Sequence, residues 1–260
     1  MRIKFVNLTK NSATHLNTDL LSTLAESINA FGDMEVVDTA PDMLHLFGRW
    51  SAASAGTISH NQSIGIPMVF TDIDGLADLL TASASHRLCP KAFHCIGPAE
   101  AKLINRLAPK AFVTVIANAQ FTATTSQPVM LQQFHNLYTT VYAQHEAKVV
   151  ASINEKVNKL SSKDQTIRTI CAKLLYLQYA YKRETIRQHL LDELSHTLIS
   201  SDYDEKVMGQ MLDELQIKAF AASAMSLLAE NAQLTEGFMP IQASADKTMK
   251  RMQRLIIANS

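Results

Sequence analysis

The sequence has no excess of charge of either sign. Its 24 lysine and arginine residues balance 24 aspartate and glutamate residues, which gives a formal net charge of +0. Proteins that bind nucleic acid non-specifically usually carry a positive field that attracts phosphates. We therefore predict no nucleic-acid partner. The content of 47% hydrophobic and 18% charged residues is typical of a folded globular protein.

Cysteines and long apolar runs are also scarce. The three cysteines, Cys89, Cys95 and Cys171, have spacings that match neither a zinc site nor a disulfide framework, which indicates reduced thiols. No apolar run approaches the about 18 residues that a membrane span needs. The apolar run within residues 1–8 is too short for the core of a signal peptide. These features favour a cytoplasmic protein.

Common motifs for metal binding and nucleophilic catalysis are missing from the sequence. The nine histidines show neither H-x-x-x-H nor H-x-H spacing. No G-x-S-x-G sequence marks a nucleophile elbow. The sequence therefore predicts no metal site and no bound cofactor.

The first half of the chain alternates short apolar runs with helical patterns. Several runs are continuously apolar, which is typical of strands buried on both faces of a parallel sheet. Helical spacing occupies residues 19–31, where Phe31 is expected on the inward stripe, and residues 98–107. The predicted strands are residues 3–8, 34–39, 43–48, 66–71, 92–97 and 112–118. We predict an open parallel Rossmann-like sheet, flanked by helices, in residues 1–125.

The second half of the chain has a different character. Residues 119–128 are rich in Thr, Ser, Ala and Gln without periodicity and are predicted to be a linker. Helical spacing then occupies residues 131–158, 162–199, 202–230 and 245–258. The predicted fold class is therefore α/β, with an all-helical region in residues 129–260.

Three segments of the first half carry a family resemblance. They are PDMLHLFGRWS at residues 41–51, GIPMVFTDIDG at residues 65–75, and AFHCIGPAEA at residues 92–101, which VTVIANA follows at residues 113–119. In this order they resemble the N-terminal, acceptor-side domain of retaining GT-B glycosyltransferases of the group 1 type. The resemblance covers less than half of the chain. It implies a Rossmann-like domain with a cleft for a sugar- or nucleotide-related ligand.

The sequence also departs from that family. The family's glycine-rich first loop is represented by residues 9–12, which contain no glycine. Phe47 and Ile73 stand where the family has histidines, and helical patterns follow where its donor-binding domain would begin. The resemblance therefore implies a degenerate or partial glycosyltransferase that lacks the donor domain.

Polar residues after three predicted strands form the candidate binding site. Ligands of open parallel sheets bind beyond the carboxyl ends of the strands. Arg49 is suited to a phosphate, the two aspartates to sugar hydroxyls, and Trp50 to stacking. The candidate ligand-binding residues are Asn11, Gly48, Arg49, Trp50, Asp72 and Asp74.

Structural alternatives accompany several of these residues. For Trp50, packing as an anchor of the domain core is the favoured interpretation, and Asp72 and Asp74 are equally suited to cap a helix. His45 and His94 lie within apolar strands, so we expect buried, hydrogen-bonded histidines rather than general bases. No catalytic residue is assigned.

Three functions stay open from the sequence. The first is a glycosyltransferase-like binding protein, the second a glycosyltransferase completed by a homo-oligomer or partner chain, and the third a non-enzymatic helical assembly module that uses the Rossmann-like part as a scaffold. The turn at residues 234–240 is a further candidate for docking.

The C-terminal helical pattern is basic on one face. Lys247, Lys250, Arg251 and Arg254 alternate with apolar residues. Contact with a membrane surface or a partner is one interpretation of this pattern. Packing of the helix over the first domain is the favoured one.

Overall fold

A computed structural model of the chain describes residues 1–8, 18–48, 52–72, 92–116 and 127–258. The chain divides into two compact units, Met1–Glu146 and Ala147–Ser260. We call them the α/β unit and the helical unit.

The α/β unit contains a six-stranded sheet in which every pairing is parallel. Its elements are β1 (Arg2–Asn7), α1 (Thr18–Asn29), β2 (Glu35–Val36), β3 (Met43–Gly48), α2 (Ala52–Ser63), β4 (Met68–Asp72), β5 (Ala92–Cys95), α3 (Pro98–Leu107) and β6 (Phe112–Val115). The strand order is β2-β1-β3-β4-β5-β6. The predicted open parallel sheet is therefore confirmed. The second strand is shorter than residues 34–39, because the chain bends before β3 and Ala40 adopts a φ of 46°.

Alternate residues of the strands point to opposite faces of the sheet. One face is covered by α1 and by the beginning of the long helix α4 (Gln127–Asn158), and the other by α2 and α3. In β3, Met43 and Phe47 pack on the first face, whereas Leu44 and Leu46 pack on the second. Both faces are therefore buried, which explains why the strands read as continuous apolar runs.

Helix α1 ends earlier than its apolar spacing predicts. Leu24 and Ile28 are buried, but Phe31 is 38% exposed, so its predicted inward position is wrong. The helix stops at Asn29, and Gly32 adopts a φ of 79°. Phe31 therefore lies beyond the last residue of the helix and does not continue its inward stripe, and the left-handed Gly32 redirects the chain after it.

The helical unit contains the end of α4 and five further helices. These are α5 (Gln165–Lys182), α6 (Gln188–Ser200), α7 (Glu205–Glu214), α8 (Lys218–Asn231) and α9 (Lys247–Ala258), with a 3₁₀ turn at Glu236–Phe238. Residues 127–258 contain no strand, which confirms the predicted helical second half.

Two predicted helical stretches are each divided into two helices. Between α5 and α6, Glu184 adopts a φ of 61°, and between α7 and α8, Gln216 adopts a φ of 57°. A left-handed residue cannot continue a right-handed helix, so the chain turns at both positions. The apolar spacing continues across these turns because the successive helices share one core.

The C-terminal helix α9 packs within the helical unit. Met249, Met252 and Ile256 are buried in the core of that unit, and its basic residues are exposed. The packing over the first domain that the sequence favoured is therefore replaced by packing over the helical core. None of the helices described is long and apolar enough to cross a membrane.

Candidate functional site

The strand order identifies one edge of the sheet as the candidate site. From β1 the chain continues to β2 on one side and then to β3 on the other. Ligands of open parallel sheets bind beyond the carboxyl ends of the strands, next to such a switch in strand order. In this protein Asn7 ends β1 and Gly48 ends β3. We call the carboxyl ends of β1, β3 and β4 the carboxyl edge.

Two of the predicted site residues are neighbours at this edge. Gly48 and Asp72 are register partners at the ends of β3 and β4. Gly48 adopts a φ of 138°, a backbone conformation that residues with a Cβ atom rarely adopt. Gly48 is buried, as is the rest of β3, and a glycine there places no Cβ atom at the end of the strand.

The other predicted site residues, Asn11, Arg49, Trp50 and Asp74, lie outside the described residues. The alternatives of a core anchor for Trp50 and helix caps for the aspartates are therefore still predictions.

A chain of buried hydrogen bonds crosses the first face of the sheet. Nδ1 of His45 lies 2.6 Å from the hydroxyl of Tyr138 in α4, and Nε2 of His45 lies 2.7 Å from Oγ1 of Thr71. The same Oγ1 lies 2.8 Å from Nδ1 of His94, whose Nε2 lies 3.0 Å from the carbonyl oxygen of Ile116. We call these bonds the histidine chain.

The partners fix the direction of every bond in the histidine chain. The carbonyl of Ile116 only accepts, so Nε2 of His94 carries a proton and its Nδ1 accepts from the hydroxyl of Thr71. The oxygen of Thr71 then accepts from Nε2 of His45, whose Nδ1 accepts from the hydroxyl of Tyr138. These directions hold for the neutral rings that burial favours, and in that state both histidines are Nε2–H tautomers.

Burial keeps all three titratable groups of the histidine chain neutral. Desolvation, with a smaller contribution from the charge of His94, holds the pKa of His45 well below its ordinary value. Desolvation lowers the pKa of His94 to about 4, against the opposing effect of the Ile116 carbonyl. Desolvation also raises the pKa of Tyr138 well above its ordinary value. Neither histidine has a free nitrogen for general-base catalysis, which confirms the expectation from the sequence.

Aromatic rings surround the histidine chain. The ring of Phe47 lies 3.8 Å from that of His45, and the ring of Phe134 lies 4.9 Å from that of His94. Phe5 contacts both His45 and Phe47 edge-on. These rings exclude water, so the polar groups depend on one another for hydrogen bonds.

Sequence reasoning found the two histidines but missed Tyr138 and Thr71 as their partners. Tyr138 lies in the apolar stripe of α4 with Phe134, Leu137 and Val141. The apolar stripe indicates that α4 packs against a core. It does not indicate whether a tyrosine in the stripe has a buried hydrogen-bond partner.

A second histidine contact lies at the surface of the α/β unit. Nε2 of His135 is 2.9 Å from Oδ2 of Asp33, and the amino group of Met1 donates to the carbonyl oxygen of Asp33 at 2.7 Å. The hydrogen bond from His135 lowers the pKa of Asp33. The contact ties α4 to the turn after α1, which is a structural role.

The described residues offer little other chemistry. In the ranges that the structure describes, no group of three or more His, Cys, Asp and Glu residues is placed to hold a metal ion. Cys95 and Cys171 are buried and form no disulfide, and burial raises the pKa of Cys171 to about 12. Such a thiol is not a nucleophile at neutral pH. Cys89 lies outside the described residues.

The helical unit has a shallow groove of about 220 Å³ between α4, α5 and α6. Its walls are mainly apolar and include Val150, Ile153 and Leu190. Lys173 and Glu193 also line the groove and form an ion pair at 3.3 Å.

The turn proposed for docking exposes one of its apolar side chains. Phe238 is 43% exposed, whereas Leu234 and Met239 are buried. The carbonyl of Phe238 accepts a hydrogen bond of 2.8 Å from the hydroxyl of Tyr203.

Comparisons of this chain with protein-family models, with curated proteins and with solved structures find no match. The functional proposal therefore depends on the geometry of the carboxyl edge and on the resemblance in the sequence.

Proposed function

We propose that the α/β unit binds a sugar- or nucleotide-related ligand at the carboxyl edge, as a glycosyltransferase-like unit that is not a complete enzyme on its own. One observation carries the proposal. Gly48, with a φ of 138°, lies beside Asp72 at the end of the strand that flanks the switch in strand order. In open parallel sheets, ligands bind next to the strand ends at such a switch in strand order, which supports this location.

The residue types at this edge suit a phosphorylated or hydroxylated ligand. Glycine, the residue type at position 48, is suited to close approach of a ligand to the main chain. Aspartate, the residue type at position 72, is suited to accept hydrogen bonds from hydroxyl groups. Arginine, the residue type that follows Gly48 in the sequence, is suited to pair with phosphate in a bidentate manner.

We expect this unit to bind its ligand without transferring a sugar. In the resembling enzymes the nucleotide-sugar is held between two lobes, and transfer requires this positioning and charge stabilisation. Residues 127–258 of this chain form helices and contain no second sheet. Ile73, where the family has histidine, also supplies no polar group.

Titration with three probes tests the proposal: UDP-glucose, glucose 1-phosphate and glucose. The expected result is saturable shifts of the backbone amides of Gly48 and Asp72, together with a change in Trp50 fluorescence. Asp72→Asn is expected to weaken binding. Glu35→Gln is the matched control, because it removes one negative charge at the amino end of the exposed strand β2.

Several outcomes would contradict the proposal. Shifts confined to residues 147–258 would move the site to the helical unit, and the absence of binding by all three probes would reject a sugar-related ligand. Turnover of UDP-glucose by the chain, abolished by Asp72→Ala, would show a complete enzyme instead.

A second candidate function is an assembly module that works through the helical unit. The groove favours it, because Val150 at its wall is 46% exposed. If two copies associate through the groove, Val150→Asp converts the dimer to a monomer in analytical ultracentrifugation. Ile199→Asp is the control, because Ile199 is 45% exposed and does not line the groove. A monomeric wild-type chain would reject self-association.

A further inference from the structure

We infer that Thr71, held by His45, His94 and Tyr138, is a positioning residue that sets the geometry of the carboxyl edge for its ligand. This inference rests on the proposed function. It adds four residues that do not contact the ligand but hold those that do.

The position of Thr71 connects the histidine chain to the edge. Thr71 directly precedes Asp72 in β4 and is the register partner of Phe47, which directly precedes Gly48 in β3. Its hydroxyl is engaged on both sides, at 2.7 Å by His45 and at 2.8 Å by His94. Thr71, held by two directional bonds, therefore adjoins Asp72 directly and is connected to Gly48 through its register partner Phe47.

The histidine chain links several elements at this edge. Tyr138 comes from α4, His45 from β3, Thr71 from β4 and His94 from β5, and the terminal carbonyl belongs to Ile116 just after β6. Hydrogen bonds have preferred distances and angles, whereas apolar contacts permit sliding. The chain thus fixes the ends of these strands relative to one another and to α4.

The opposite face of the same strands shows that stability alone does not require these polar groups. There the corresponding positions are filled by Leu44, Leu46, Phe70, Phe93 and Cys95, which form an apolar core with α2 and α3. Buried polar groups are costly unless every one is bonded. Among the residues that the structure describes, such a chain of bonds occurs on the face that includes Thr71 and not on the other, which points to a requirement for precise geometry.

A measurement without ligand tests the histidine chain itself. In ¹⁵N spectra of the side chains, His45 and His94 are expected to show a protonated Nε2 and an unprotonated Nδ1 at neutral pH. A mixture of tautomers, or a protonated Nδ1 at either residue, would overturn the inference, because the directed bonds to Thr71 would not exist.

Three variants then test the positioning role. Thr71→Val removes the hydroxyl at nearly constant shape, Thr71→Ser keeps it, and Ile58→Val shortens a fully buried residue on the opposite face. With UDP-glucose as the probe, Thr71→Val is expected to weaken binding about tenfold, because two histidine nitrogens lose their partners. Thr71→Ser and Ile58→Val are expected to bind as the wild type does. If Thr71→Val does not fold, Tyr138→Phe replaces it and is expected to act in the same direction.

The two hypotheses fail in different ways. If wild-type protein binds UDP-glucose and Thr71→Val binds it equally well, the positioning role is wrong while the proposed function stands. If wild-type protein binds none of the probes, the proposed function is wrong, and the ligand role of Thr71 with it. The amide shifts of Gly48 and Asp72 in unliganded Thr71→Val, compared with Ile58→Val, then decide whether the chain sets the edge. If the amide shifts are equal in the two variants, the histidine chain does not set the geometry of the carboxyl edge either.

Discussion

The α/β unit and the helical unit bury polar groups in different ways. Within the α/β unit, His45, Thr71 and His94 lie inside the core and are joined by hydrogen bonds. In the helical unit both histidines, His189 and His196, lie at the surface. Its buried polar side chains include Arg183 and Ser195, which donate to the hydroxyl of Tyr179 and to the carbonyl of Ala232. Apolar packing accepts many residue combinations, whereas a buried hydrogen-bond network requires particular partners. The buried network of particular partners therefore makes the α/β unit the candidate for a specific function.

The largest expected difference between the units is their response to acid. His45 and His94 have lowered pKa values in the folded state, so the unfolded chain binds more protons as the pH falls below about 6.5. The contribution of the two neutral histidines to the free energy of unfolding is complete above that pH and is lost progressively toward pH 4. His94 alone contributes about 3 kcal/mol, at about 1.4 kcal/mol for each pKa unit.

Urea unfolding followed by hydrogen exchange at pH 7 and pH 4.5 measures this difference. Peptides from residues 1–146 are expected to lose far more protection than peptides from residues 147–258, which serve as the internal control. An equal loss in both units would show that the two histidines are accessible to protons in the native state.

Three glycine variants are expected to change the free energy of unfolding by smaller amounts, with destabilisation at one position and stabilisation at the other two. Gly48→Ala is expected to destabilise the α/β unit by roughly 1–3 kcal/mol, because alanine is strained at a φ of 138°. Gly56 in α2 and Gly209 in α7 lie within helices, and an added Cβ meets nothing within 4 Å. Gly56→Ala and Gly209→Ala are therefore expected to stabilise their units by about 0.5–1 kcal/mol. Thermal unfolding measures all three, and stabilisation by Gly48→Ala would remove the argument for a special backbone at the edge.

A still smaller effect is expected at a helix cap of the helical unit. The side chain of Asp164 accepts hydrogen bonds from the backbone amides of Thr166 and Ile167 at the start of α5. Asp164→Ala is expected to lower the free energy of unfolding of this unit by about 1 kcal/mol, and Asp164→Asn to retain most of it. Chemical denaturation compares the variants. If both reduce stability equally, the charge of Asp164 matters more than its cap.

The smallest effect is expected at a surface ion pair of the helical unit. Glu155, near the end of α4, and Lys159, the residue after the helix, are 2.7 Å apart, and both side chains are about 70% exposed. Lys159 lowers the pKa of Glu155, but solvent screens the attraction. Glu155→Gln is therefore expected to leave the unfolding midpoint unchanged. A clear decrease in the midpoint would show that this end of α4 makes further charge interactions.

Local sequence signals predicted the elements well and their ends less well. Helix α3 occupies the predicted residues 98–107, because proline marks its start and the apolar spacing is regular. The breaks at Glu184 and Gln216 were missed, since neither residue type signals a left-handed conformation. Phe31 was misplaced for a related reason, because the spacing of apolar residues continued past the end of α1.

The sequence also predicted one part of the candidate site and missed another. That Gly48 and Asp72 share an edge followed from the parallel order of the predicted strands, and their register pairing agrees with it. That His45 reaches Thr71 and Tyr138 did not follow, because the contact with Tyr138 joins residues 93 positions apart. Sequence spacing carries no information about such a pair unless the packing of α4 is known.

The sequence by itself determined the α/β class, the parallel sheet and the change to helices, because strand and helix periodicities are local properties of the chain. Only the tertiary structure decided that α9 closes over the helical core, that β3 and β4 end side by side, and that two histidines are locked as neutral tautomers. These outcomes depend on which distant residues meet. Burial and hydrogen-bond partners are set by the packing of whole elements, so residue order alone does not specify them.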